Sequence, residues 1–430
     1  MNFFAELGTL LERRWRDHNY SEESFPTLAE QALQEMPPHQ HVDAWDTIRW
    51  VLSTTELPQQ QDLPAKFGNP PITLYSGPRF HIDIYFWLDG TTSIHQHAFC
   101  GAFHVLMGSS IHSHYTFHPR QTLNEHFAIG DMVLEKVELL EQGQTQQILP
   151  GKQYIHSLFH LDRPSATICV RTYHTTTETP QYNYLKPYFA NDPFFQDALT
   201  TKQLQSVSLL LRMPHPQAAD LMDEVLSRAD FPLAFSLLDM AQGYFQNNAL
   251  ENAFGLTTGK EQYERLFETA RRRHGDLVDL IPSVFAEARR QNNLIHRRSQ
   301  ITSPEHRFFL ALLLNVPSRQ RLLEMVRQKF PDNNPIETVL GWVEELALTK
   351  VWGAAEGNVL GIKDFDDEYL FVLQCLLEGR SLSETKQSYS QELGEEDGPL
   401  GTEKLEMLYQ TIATSDLFGS LFPLSHKAAI

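Results

Sequence analysis

Histidines concentrate in two stretches of this 430-residue chain, TTSIHQHAFCGAFHVLMGSSIHSHY from Thr91 and LPGKQYIHSLFHLDRP from Leu149. Side chains on a strand alternate between faces, so His95 and His97 point the same way and can both enter the interior of a barrel. Gly90 ahead of them and Gly108 beyond the next strand read as turn residues. Pro150-Gly151 makes a turn that starts a further strand carrying His156, a third imidazole able to converge on the same point. Three neutral imidazoles suit iron, zinc, copper or nickel and leave positions open for substrate, water or dioxygen, which is a catalytic arrangement and not a closed structural one. His160 can orient His156 or simply pack, and Cys169 and His104 are further candidates to touch the ligands from outside. His112 and His114 form a second HxH after Gly108, open as outer partners, exterior groups or ligands of a second ion.

These residues need strands to hold them, and the texture supplies strands from about residue 70. ITLYSGPRFHIDIYFWLDG, FHVLMGSSIHSHYTFH, DMVLEKVELLEQGQTQQILPG and ATICVRTYHTTT alternate apolar with polar, are rich in β-branched and aromatic residues, and are separated by Gly90, Gly108, Gly130, Gly143 and Gly151. Six or more short strands predict a sandwich or small barrel over 69–180. Residues 1–68 read as flanking helices, with Phe4, Leu7, Leu10 and Leu11 and later Trp45, Ile48 and Val51 at helical spacing. Residues 181–334 read as an α-helical domain punctuated by prolines such as Pro232, Pro282 and Pro304. The last segment, 335–430, is an acidic, mixed helical module. Its order of ETVLGWVEELA, a hairpin or wing in VWGAAEGNVLGI, and DEYLFVLQCLLEG resembles that of a winged-helix module, and QELGEEDGPLG is polar enough to be a mobile loop. The expected class is therefore α+β, with a large mostly α-helical C-terminal region.

A formal charge of −19 argues against general binding to nucleic acid or anionic membrane. Residues 271–330 carry 12 basic against 5 acidic side chains, whereas 335–430 carry 6 against 17, so the two segments either pack together or the first docks an acidic partner. The three cysteines, Cys100, Cys169 and Cys375, form no CxxC pair and no readable disulfide framework. The first residues, MNFFAELGTLLERRWRDH, mix acids and arginines into an apolar period, so no signal peptide is expected. The longest apolar runs, such as FFLALLLNV from Phe308, fall short of the roughly 20 residues of a membrane span. A cytoplasmic protein is expected.

The histidine segments resemble the cupin superfamily, whose first motif is G-x5-HxH-x3,4-E-x6-G and whose second is P-x-G-x2-H-x3-N. Gly90 lies one residue nearer to His95 than that motif states, and His160 stands where asparagine is usual. Gly101 and Ala102 occupy the stretch of the metal-binding glutamate. Within cupins, SIHQHAFCGAFHVLMGS and ATICVRTY resemble the thiol dioxygenase group, including cysteine dioxygenase, over about residues 80–175, roughly a quarter of the chain. The resemblance implies a double-stranded β-barrel holding Fe(II) on His95, His97 and His156, while the ligand type by itself leaves zinc, nickel or copper as other occupants. It implies a small-molecule or peptide substrate, a thiol among the candidates, reacting with O2, and it places Tyr173 at the group's active-site tyrosine. The group's Ser-x-His-x-Tyr relay reads Cys169-Val170-Arg171-Thr172-Tyr173 here, Cys100 is too near His97 for the crosslinking cysteine, and PITLYSG lacks the arginine that binds free cysteine's carboxylate. Arg171 or Arg79 can take over the binding of a substrate anion. A ligand-binding sensor or scaffold, and a zinc or nickel isomerase or hydrolase, remain as alternatives. The helical region is expected to serve a homodimer or another protein partner.

Overall fold

The computed structural model describes residues 2–88, 90–175, 180–246, 258–350, 358–393 and 399–422. The strand texture forms β1 (Pro71–Ser76), β2 (Phe80–Trp87), β3 (Gly90–Thr91), β4 (Ile94–His97), β5 (Gly101–Met107), β6 (Ser110–Asn124), β7 (Phe127–Leu140), β8 (Thr145–Ile148), β9 (Gly151–His160), β10 (Ser165–Thr172), β11 (Asn183–Leu185) and β12 (Phe189–Asn191). One sheet has the order β1-β2-β10-β5-β8. The other runs β3-β9-β4-β11-β12-β7-β6, and an added β9–β6 pairing closes six of its strands into a ring. The strands extend to Asn191, past the expected end at 180, because the three-residue β11 and β12 are needed to bridge β4 and β7.

Alternation along β2 shows how the layers are built. Ile82, Ile84 and Phe86 face outward into a cluster with Phe4, Leu7, Leu11, Trp15, Phe25 and Leu33 of the N-terminal helices α1 (Asn2–Asp17) and α2 (Phe25–Glu35). Tyr85 faces inward, to meet Phe103, Val105 and Cys169 of its own sheet and Leu140, Tyr154 and Leu158 of the other. Each fully buried aromatic or aliphatic side chain in such a layer contributes about 1.5–3 kcal/mol. Gly108 closes the β5–β6 turn with φ +81°, a conformation that L side chains rarely adopt.

Outside the second sheet lie two helical cores. Phe127, Ile129 and Phe189 of the barrel share one with residues between Val207 and Phe285. Ile111, Val137, Leu139 and Phe159 share the other with residues between Leu294 and Phe422. The expected boundary at 334 thus falls inside a single core, where Phe330 packs on Trp342 at 5.5 Å. Surface composition changes at 334, but the apolar faces on either side of it need each other for cover. Of the expected wing, residues 351–357 lie outside the described part, and only a Lys350–Asn358 bridge is seen. Residues 394–398 of the expected polar loop also lie outside it.

Four arginines of the basic stretch bond within the chain. Arg298 donates to the backbone oxygens of His160 and Leu161, and Arg321 donates to that of Val137, so both arginines tie helices to barrel strands. Arg297 and Arg319 donate to the backbone oxygens of Val359 and Leu376, in the acidic segment. Among the described residues no helix is long and apolar enough to cross a membrane.

Candidate metal centre

Register brings the histidines together. His156 on β9 pairs with His95 of β4 on one side and with His114 of β6 on the other, so three imidazoles stand in one cross-strand row. His97, two residues after His95, shares its face. His95, His97 and His156 are buried, and each offers a ring nitrogen within 4.8 Å of the others. Hydrogen bonds at the far nitrogens set the directions: His95 Nδ1 donates to Ser93 O at 2.7 Å, and His156 Nδ1 lies 2.9 Å from His112 Nε2. That leaves Nε2 of both rings for the focus, where His156 Nε2 stands 2.9 Å from His97 Nε2. His97 Nδ1 is buried without a partner.

Burial holds all three rings neutral. It pushes His95 below the usual imidazole range, and His97 and His156 well below it, with the neighbouring rings adding to the shift of the last two. Neutral imidazole is the ligating form, so a buried triplet of such nitrogens fits a divalent transition ion. A fourth ligand at the position of the motif's glutamate is excluded by backbone packing. A Cβ on Gly101 would stand 1.9 Å from Val170 O, and Ala102 turns outward toward the N-terminal helices.

A cavity of about 270 Å³ opens onto His95 and His97. Its wall includes Arg171, Asp83, Tyr85 and Phe99, with Phe67 and Phe194 at the edge. The Arg171 guanidinium lies 3.8 Å over the Phe99 ring, and its Nε has no hydrogen-bond partner. Tyr85 donates its hydroxyl to Asp83 at 2.8 Å, and His81 Nε2 sits 3.1 Å from the same carboxylate. Burial pushes Asp83 up, but the hydrogen bond and charge of His81 and the charge of Arg171 outweigh it and leave the carboxyl below its ordinary value.

The other expected residues are placed differently. Tyr173 does not line the cavity: its hydroxyl donates to Gly77 O at 2.8 Å and meets Ser76 Oγ at 3.0 Å, closing the β1–β2 turn, while the His81 ring lies tilted against its ring at 4.8 Å. His160 is stacked on Trp87 and bonded to Ser165 four residues beyond His156, so packing decides its place. His104 faces away from the centre and meets His39 and Thr145. Cys169 lies in the inner apolar layer, where burial pushes its thiol up to about 12, and Cys100 lies on the outer face among the N-terminal helices. Arg79 stacks on Tyr20 of the N-terminal segment, outside the cavity lining.

Tyr85, Asp83, Phe99, Tyr154 and Glu138 were not singled out from the sequence. The alternation in HIDIYFW does place His81, Asp83 and Tyr85 on one face, and that signal was available.

No protein-family model and no curated protein matches the chain. Among solved structures it is similar to a crystal structure of the DMSP lyase DddQ from Ruegeria pomeroyi DSS-3, at 15% identity and TM-score 0.20, over 36% of this chain and 75% of that one. It is also similar to crystal structures of the DMSP lyases RdDddP and RnDddQII, at 14% identity and TM-score 0.19, over 42% and 98%. Likeness of this degree carries no weight for fold or activity, which rest on the strands and side chains described above.

Proposed function

We propose that the chain is a metal-dependent enzyme of cupin type, a non-haem ferrous oxygenase acting on a small anionic molecule, a thiol being the first class to test. The observation that carries this is the convergence of three neutral, buried imidazoles beside a cavity that also receives an arginine. His95, His97 and His156 would hold the ion, and a ferrous ion there would supply the redox chemistry needed to activate dioxygen toward a bound substrate.

The remaining roles belong to the cavity wall. Arg171, backed by the Phe99 ring and with an unused Nε, binds a carboxylate of the substrate. Tyr85, with its proton directed at Asp83, is the hydroxyl placed to exchange a hydrogen bond with that substrate, in the role the resemblance gives to Tyr173. Phe67, Phe99 and Phe194 limit water at the cavity.

Oxygen consumption by anaerobically purified, iron-loaded protein with a panel of small carboxylated thiols tests the reading. Thiol-dependent uptake that His97→Ala abolishes supports it. Metal retention with no uptake on any member contradicts the oxygenase and favours an isomerase or hydrolase on the same ligands. Failure to hold metal makes the barrel a ligand-binding or scaffold protein.

A further inference from the structure

Beyond His156 lies a second group of ligand-type side chains that the cavity does not reach. His112 and His114 sit two apart on β6, and Glu138 of β7 pairs with His112 in register. His112 Nδ1 is 3.5 Å and His114 Nε2 is 3.4 Å from Glu138 Oε1, and one ligand atom from each residue lies within 4.8 Å of the others. These separations exceed good hydrogen-bond lengths, and both His112 Nδ1 and Glu138 Oε1 are buried without a hydrogen-bond partner. Unpaired buried polar atoms are costly, so two that face each other, with the His114 ring nitrogen beside them, call for something between them. Two ligands each about 2.1 Å from one ion, at the tetrahedral angle, stand about 3.4 Å apart.

The geometry points to a second divalent-cation site, of the two-histidine, one-carboxylate kind that suits zinc, formed by His112 Nδ1, His114 Nε2 and Glu138 Oε1. Lys136 Nζ bonds the other Glu138 oxygen at 2.7 Å and leaves Oε1 to the ion. His114 and Glu138 are partly exposed, at 23% and 19%, which gives an ion a way in.

The outer site is linked to the first centre through one ring. An ion on His112 Nδ1 leaves that ring's proton on Nε2, where the Tyr154 phenol oxygen, 3.1 Å away, accepts it. The same Nε2 is the acceptor for His156 Nδ1 when His156 turns Nε2 to the first centre. Filling the outer site removes that acceptor, so the two sites oppose each other. This opposition, though not the outer site itself, rests on His156 being a ligand of the first centre.

The test counts zinc per full-length chain after equilibrium dialysis, for wild type, His97→Ala, His114→Ala, and His97→Ala combined with either His114→Ala or Glu138→Gln. Metal-free thermal melts check that each variant folds, and Glu138→Gln, which keeps the side chain's shape, serves if His114→Ala does not. The expected result is one zinc on His97→Ala, bound at least tenfold more weakly in the double variants, with His114→Ala alone still holding one at the first centre. No zinc on His97→Ala, or zinc there that neither double variant weakens, overturns the outer site. A single ion kept by His97→Ala and lost from His114→Ala would instead leave the outer site standing and remove the first centre.

Discussion

A buried histidine serves as a ligand when its far nitrogen is told where to point. Ser93 O does this for His95 and His112 does it for His156, so His112→Phe should weaken ion binding at the first centre by about 10- to 100-fold without unfolding the barrel. His112→Asn, whose amide oxygen can accept the same proton, should lose less, and a chelator competition titration separates the two. Arg171→Met should raise KM for an accepted carboxylated substrate by more than about tenfold while changing kcat less, since the guanidinium grips a group remote from the reacting atom. Steady-state kinetics read this split, and a loss confined to kcat would contradict it. At this scale the HxH pair and His156 were legible because period two and a Pro-Gly turn are local signals. The role expected of Tyr173 was not legible, because the Ser76–Gly77 turn that takes its hydroxyl lies almost a hundred residues away in sequence.

Strands decide which side chains meet, and a close approach between two of them limits what the site can contain. Gly101 on β5 passes so near Val170 O on β10 that Gly101→Ala should destabilise the barrel by about 1–3 kcal/mol or more, measured by denaturant unfolding. A second consequence follows from buried histidines away from the centre. Burial holds His160 down to about 3 and His104 down to about 4, whereas an exposed imidazole titrates near 6.5. Unfolding below pH 6.5 therefore takes up protons that the fold refuses. Stability from these groups is full above that pH and falls as the pH drops toward 4 and then 3, by up to about 1.4 kcal/mol per pH unit for each. Thermal melts between pH 7 and 4 should show a falling midpoint, less steep in His104→Gln; a flat profile would contradict the assignment. The strand region and its turns were legible from alternation and glycines. The three-residue β11 and β12 were not, since NYL and FAN are too short to show a period and owe their pairing to the strands on either side.

For the molecule as a whole, the helical regions are bound to the barrel through its outer faces. Arg298 reaches the carbonyls of His160 and Leu161 over the Phe159 ring, and Arg321 reaches Val137 O. Arg298→Ala removes charge-assisted hydrogen bonds and a ring contact, and should cost about 2–4 kcal/mol, with faster limited proteolysis between barrel and helices. The helical character after residue 190 was legible from three- and four-residue spacing, but the division into two cores was not, because each core is completed by barrel residues distant in sequence, such as Phe189 and Phe159. The central claim remains the three-histidine centre. It is tested most directly by ferrous-ion binding under anaerobic equilibrium dialysis, comparing folded His114→Ala, which lacks the outer site, with the folded His97→Ala/His114→Ala double variant. One iron fewer per chain in the double variant is the predicted result, and equal loading of the two would contradict it.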